Sequence, residues 1–475
     1  MKKLLIALLL LPAFLAYAQD SGPWKAELWK PVHADPSWGT GPYAIIEITG
    51  TYTNGSTLVL SGDDWWGDYG PTVALWDDFE PRSGESAGDD IPITSPTVGR
   101  WDIDRDNDGT ADTECYMYSP KFTLHGSLGA TTPTRIGNYY AQFNSRAGDC
   151  NPGEPVQIGY SRFYVYFGDI NNDGTLDSGQ VEPGEDIFWS YWTEISPGDN
   201  CYSYNNLKES WLMHAGGGVS EEGFSDIFIV GKPQGTCATD QNNYPLELGS
   251  NHSCGPPVSV SDGAVACLLN VNAAAGIWTR RSLYAVAQED ETGYLKAWEM
   301  PFLTYARNND CWRNSNKACA SSLDHAMVGN TCQMLRNSPT FYRNNDSTLV
   351  GTYNTQNPGI YWNQLTINGW VWPDSGYPQF YPSFDDVYVA IGPYAQARVE
   401  IANQETWDNR DVGSTFFSSV CAPTFWSSNH VECTMHFGPL VPGSNAWVFI
   451  IAGDGTVSDQ DDTRAGSQGY HVVLQ

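Results

Sequence analysis

The sequence predicts an all-β fold with very little helix, and three observations carry that expectation. Apolar and polar residues alternate with a period of two over many short runs, the pattern of strands packed on one face. The 475 residues include 19 Trp, 26 Tyr and 18 Phe, side chains that suit a pleated, half-buried surface. The 47 Gly and 29 Pro break these runs so often that long amphipathic helices have no room.

In chain order, residues 1–18 read as a secretory signal. Lys2 and Lys3 supply a short positive n-region of bacterial type, and residues 4–15 are an apolar run too short to span a bilayer comfortably. Ala16-Tyr17-Ala18 is a small-x-small cleavage site, so the mature chain is expected to start near Gln19. No later run approaches transmembrane length, which predicts a secreted, extracellular or cell-surface protein. Residues 20–40, with Trp24, Trp29, Trp38, Pro31 and Pro36, form an irregular lead-in.

Strands are expected at 44–48 and 57–60, joined by a turn at Asn54-Gly55. After Gly70-Pro71 a further strand begins at Thr72, followed by a Ser/Gly/Asp/Pro-rich loop to residue 99. The middle of the chain offers strands at 138–144, 162–167, 187–192, 225–230, 278–287, 295–300, 361–371 and 386–391. The polar, Asn-rich stretch 304–358 reads as loop insertions. In 381–401, Val387, Val389 and Ile391 share a face opposite Tyr388 and Ala390; Gly392-Pro393 then turns the chain. Beyond it, Ala397, Val399 and Ile401 alternate with Arg398 and Glu400, which predicts a strand with a charged, solvent-facing side. Strands at 431–437, 447–452 and 470–474, with turns at Pro442-Gly443 and Asp454-Gly455, complete the chain.

The segments 19–71 and 395–475 are each small for an independent core, since domains below about 40 residues rarely fold unaided and longer ones remain marginal. Together they have the size of one sandwich, which predicts a large β domain, 72–394, inserted into a loop of a smaller one. Residues 45–62 (IIEITGTYTNGSTLVLSG) resemble the opening of an IPT/TIG-type immunoglobulin-like domain, and 397–401 (ARVEI) and 446–458 (AWVFIIAGDGTVS) resemble its later strands. Trp278 with Arg280-Arg281, the hairpin-like 291–300 (ETGYLKAWEM) and 384–392 (FDDVYVAIG) resemble the concanavalin A-like jelly roll of lectins and polysaccharide lyases. The resemblance implies a jelly-roll sandwich within a discontinuous immunoglobulin-like β-sandwich.

The formal net charge of −31 excludes nucleic acid as a partner, whose phosphates would be repelled. With 41 % apolar residues the chain is folded rather than an acidic tail. Export makes disulfides the default use of the 11 Cys, with Cys421–Cys433 and Cys254–Cys267 the preferred pairs. Cys311, Cys319 and Cys332 form a trio, and the odd count leaves either a free thiol or an inter-chain bond. No CxxC or zinc-like cluster is present. Asn54, Asn251 and Asn345 stand in N-x-Ser sequons that a bacterial exporter would ignore.

Two loops carry the clearest chemistry. Asp104, Asp106, Asp108 and Asp112 fit DxDxDGxxD, and Asp169, Asn171, Asp173 and Asp177 fit DxNxDGxxD. Oxygen ligands at alternating positions and a glycine for the sharp turn suit Ca2+, the one cofactor expected. Cys115 and Gln180 replace the closing Glu of an EF-hand, so the loops resemble the Asp-loop sites of dockerins and thrombospondin-type repeats; the bland reading is a polar turn.

For carbohydrate, Tyr140, Gln142 and Asn144 share a strand face, and Tyr164 and Tyr166 another. Flat rings beside amides suit sugars, whose CH faces stack and whose hydroxyls hydrogen-bond. Arg280 and Trp298 complete the candidate set. The competing reading is an aromatic outer face without a ligand. A lyase needs a group to neutralise a uronate and a Tyr or His base; Arg280, Arg281, Lys296, Tyr140 and His125 are available, yet no RxE, QxH or YxKxGxYxQ cluster appears. The glucanase ExDxE, HExxH and GxSxG are absent as well. The expectation is non-catalytic binding of extracellular polysaccharide or surface glycan. A self-assembling structural or adhesive protein and a lyase with an unfamiliar site are the alternatives.

Overall fold

The computed structural model describes residues 44–62, 66–81, 84–86, 91, 95–101, 116–120, 139–143, 163–167, 181, 186–197, 206–214, 225–231, 245–249, 267–272, 278–286, 294–300, 325–328, 331–334, 336–337, 362–372, 380–407, 417–460 and 468–475. Among them there are strands and no α-helix, so the all-β expectation holds. The strands are β1 (Ile45–Thr49), β2 (Thr57–Gly62), β3 (Thr72–Asp77), β4 (Tyr116–Pro120), β5 (Tyr139–Phe143), β6 (Phe163–Tyr166), β7 (Asp186–Pro197) and β8 (Asn206–His214). They continue with β9 (Ser225–Gly231), β10 (Pro245–Gly249), β11 (Cys267–Asn272), β12 (Thr279–Val286), β13 (Tyr294–Met300), β14 (His325–Val328), β15 (Thr331–Met334) and β16 (Arg336–Asn337). The last are β17 (Trp362–Trp372), β18 (Phe380–Ile391), β19 (Arg398–Ala402), β20 (Ser418–Ser427), β21 (His430–Thr434), β22 (Asn445–Ile451) and β23 (Tyr470–Val473).

One seven-stranded sheet, in the order β1-β2-β21-β20-β19-β22-β23, takes strands from both ends of the chain. β2 pairs antiparallel with β21 through Thr57↔Thr434 to Ser61↔His430, joining segments about 370 residues apart in sequence. The sheet folds back on itself. β20 pairs with β19 through its first half and with β21 through its second, with a register shift at Pro423/Phe425 where it changes partner. Its outer strands then meet: the Gln460 amide accepts from Ile45 N–H and donates to Ile45 O, both at 2.7 Å, and Gln475 N–H donates to Tyr52 O at 2.7 Å. Leu58, Leu60, Val399, Val431, Val448 and Val472 fill the enclosed core. Cys421 and Cys433, both fully buried there, form the expected disulfide. Cys254 lies outside the described residues, and with it the second preferred pair.

An eight-stranded sheet runs β16-β13-β12-β7-β18-β5-β4, with β3 also on β18. β18 is central. One edge pairs with β7 along its length, while β5 and β3 share the other, meeting Ser383–Phe384 and Val387–Ile391 respectively. At the changeover Asp386 adopts φ 49°, a left-handed conformation costly for a residue with a Cβ, and its N–H bonds Asp385 Oδ1 at 2.9 Å. A six-stranded sheet, β11-β10-β9-β8-β17-β6, packs on one face of this layer. Trp189 Nε1–H and Tyr191 Oη–H both donate to Ser210 Oγ across that gap, at 3.3 and 3.2 Å.

Two expectations are corrected here. The stretch 304–358, read as loop insertions, contains the hairpin β14–β15 and the short β16. The charged side of β19 does not face water: Arg398 is 4 % and Glu400 0 % exposed, and residues 383–391 of β18 are likewise buried on both faces. Alternation shows which residues share a face but not what covers it.

Candidate functional site

The face of the eight-stranded sheet turned away from the six-stranded one positions the described polar groups. Register fixes who sits where. Strand pairing puts Arg280 opposite Trp192, and Trp192 opposite Asp385; the neighbouring row is Ser282, Ser190, Tyr388 and Trp76. Because side chains alternate, these two rows lie on one face.

β19 and β20 of the seven-stranded sheet roof this face. Glu400 accepts from Arg280 Nη1 at 2.7 Å and Nη2 at 3.3 Å, from Arg398 Nε at 2.5 Å, and from the Ser418 hydroxyl. Arg280 also donates to Ser418 Oγ at 2.9 Å and Ser190 Oγ at 3.2 Å. Arg398 donates to Gln396 O at 2.8 Å, and its guanidinium carbon stands 4.2 Å over the Phe188 ring, a cation–π contact. Burial alone would raise the Glu400 pKa; the charges of Arg280 and Arg398 and the hydrogen bonds they and Ser418 supply outweigh it and hold the carboxyl at about 2. Burial lowers the Arg398 pKa, opposed by Glu400, and pushes the Tyr388 phenol above its ordinary range.

A second contact joins the same two layers. His436, just beyond β21, bonds Asp386 Oδ1 at 2.7 Å, and its ring stands edge-on to Trp76 at 5.3 Å. Both members of the pair are 5 % exposed at the side chain. Gly438, at φ 51°, passes so close that a Cβ there would come 3.1 Å from Asp386 Oδ2. Nearby, the fully buried Asp77 accepts from Phe79 N–H at 2.8 Å, Trp101 Nε1–H at 2.6 Å and the Ser95 hydroxyl. Burial pushes its carboxyl up to about 7, with Asp78 adding to the rise and the three hydrogen bonds opposing it.

Chemically, this arrangement fastens layers together. Among the described residues of this face, Arg280, Tyr284, Tyr388, His436 and Glu400 are of the types a proton-abstracting site would call on, and each is at most 4 % exposed. Arg280 therefore does not stand on a glycan-facing surface, as expected from sequence, but spans two sheets, paired with a carboxylate 120 residues downstream that it shares with Arg398.

The remaining described candidate residues lie on strands of two different sheets. Tyr140 and Gln142 lie on β5, opposite Ser119 and Met117 of β4, with Gln142 also opposite Ser383; Trp298 lies opposite Ser282. Tyr164 and Tyr166 belong to the other sheet, opposite Thr366 and Gln364. Asn144 and all eight metal candidates, Asp104, Asp106, Asp108, Asp112, Asp169, Asn171, Asp173 and Asp177, lie outside the described residues. Sequence reasoning passed over Tyr69 and Tyr394, which the structure stacks at the surface; the only signal was an aromatic residue amid the turn residues Gly67-Asp68 and Gly70-Pro71.

No protein-family model matches the chain, and no curated protein matches it in sequence. Among solved structures, an endo-β-1,4-glucuronan lyase from the fungus Trichoderma reesei is similar over 64 % of this chain and 96 % of its own, at 13 % identity and TM-score 0.30. A cellulose-induced protein is similar over 66 % of this chain and 96 % of its own, at 12 % identity and TM-score 0.28. An alginate lyase from Aplysia kurodai is similar over 57 % of this chain and 86 % of its own, at 12 % identity and TM-score 0.27. Likeness at this level transfers no residue role to this chain.

Proposed function

We propose that this is an exported protein that binds extracellular polysaccharide without cleaving it, its long loops held by Ca2+. The observation that carries the reading is the closure of the sheet face just described. The charged groups there are paired with one another in a buried interface, Arg280 and Arg398 on Glu400 and His436 on Asp386. A lyase needs such groups open to a uronate; a binding protein needs only rings and hydrogen-bonding groups at its surface. In this reading the segments 19–71 and 395–475 make one immunoglobulin-like unit, supported by the pairing of β2 with β21, and 72–394 is a jelly roll inserted in it. The calcium assignment rests on the DxDxDGxxD and DxNxDGxxD spacing alone.

The test is a panel of soluble polysaccharides incubated with the purified protein and Ca2+, scored for retention and for absorbance of unsaturated uronates. Retention without product is expected. Product would replace binding by lyase chemistry, and silence on both counts, with concentration-dependent oligomers, would favour a self-assembling surface protein.

A further inference from the structure

The chain crosses between the seven- and eight-stranded sheets at residues 66–71, leading into β3, and at 392–397, leading out of β18. The two crossings lie side by side and each contributes a tyrosine. The rings of Tyr69 and Tyr394 are 5.6 Å apart at their centroids with planes within 18° of parallel. Tyr69 nevertheless keeps 61 % of its surface exposed, so the ring face and edge away from Tyr394 are open to solvent.

Both crossings are tightly held. Trp66 N–H donates to Ser428 O at 3.0 Å, and Trp426 Nε1–H donates to Trp66 O at 3.2 Å. Gly70 packs directly on Trp426, where no Cβ would fit. On the other crossing, Gly392 N–H donates to Asp186 O, Ala395 N–H to Gly392 O and Ala397 N–H to Tyr394 O, at 2.8, 2.9 and 2.8 Å. An exposed aromatic face on rigid backbone is presented at little entropic cost, which is how rings serve as binding anchors.

We propose that Tyr69, backed by Tyr394, is a stacking platform for one pyranose ring of a neutral polysaccharide. The inference rests on the polysaccharide-binding reading above and narrows its ligand class. Stacking uses the apolar CH face of the sugar and needs no charge on the ligand. Asp68 is exposed beside the platform, and the whole chain carries −31, so a polyuronate approaching it would be repelled.

The experiment is affinity electrophoresis of the full chain in gels containing a soluble β-glucan, a galactomannan or alginate. The wild type and Tyr69→Phe should be slowed by at least one neutral polymer, and Tyr69→Ala should bind it about tenfold more weakly. Thermal melting of Tyr69→Ala should match the wild type, since the ring is exposed. Retention by a neutral polymer that Tyr69→Ala leaves unchanged would overturn this platform and leave the binding function standing. Retention by alginate alone would overturn the neutral ligand class. No retention by any polymer would remove both proposals together.

Discussion

Replacing Glu400 by Gln removes the one carboxylate that Arg280 and Arg398 share and leaves two guanidinium groups facing each other in a buried interface. Breaking a buried ion pair from one side costs about 3–5 kcal/mol. The proton equilibrium gives a similar figure, because holding the Glu400 pKa at about 2 instead of 4.5 corresponds to about 3 kcal/mol. The sign follows from the depressed folded pKa: this stability is fully present above 4.5 and is lost as pH falls toward about 2. Urea unfolding followed by tryptophan fluorescence reads it. At pH about 7, Glu400→Gln should lose about 3 kcal/mol relative to wild type, and the deficit should shrink to less than half near pH 3. A double-mutant cycle with Arg280→Met should show a coupling of at least about 1 kcal/mol. A deficit below about 0.5 kcal/mol, the range of ordinary surface substitutions, would refute the claim that this cluster fastens the two sheets.

Three further outcomes follow from particular residues. The raised folded pKa of Asp77 means that its contribution is full below 3.8 and lost as pH rises through about 7. Wild-type stability should therefore decline across that window, and Asp77→Asn, which cannot ionise, should flatten the decline when melting is followed against pH; an unchanged slope would contradict the assignment. Joining residues 12 apart, the Cys421–Cys433 disulfide should contribute about 3 kcal/mol, so denaturant midpoints of the Cys421→Ala, Cys433→Ala pair should fall accordingly. Excess EDTA should lower the melting temperature, whereas identical curves with and without chelator would eliminate structural calcium.

Most strands could be read directly, because period-two alternation ended at strong turn signals. Asn54-Gly55, Gly392-Pro393 and Asp454-Gly455 each mark a real reversal, with glycine at positive φ in all three. The disulfide was legible too, as a short-range pair in a chain read as exported, although β20 was not read as a strand. What escaped was partnership across layers. Arg398 and Glu400 alternate with apolar residues just as a solvent-facing side would, and nothing local names Arg280 as their counterpart. Arg280 itself looked like a ligand contact for the same reason. The short β14 and β15, His-Ala-Met-Val and Thr-Cys-Gln-Met, lack the alternation or β-branched density that marks a strand. Tyr69 and Tyr394 stand more than 300 positions apart, so only the folding of both crossings reveals the pair.

Hydrogen exchange with and without a saturating polysaccharide that the protein retains would weigh the account most directly. New protection is predicted at 66–71 and 392–397, with no change at 186–192 and 279–284, the strands sealed beneath the Glu400 cluster. Protection appearing instead on those two strands, with the crossings unaffected, would mean that the sheets part to admit ligand and that the sealed face is the site after all.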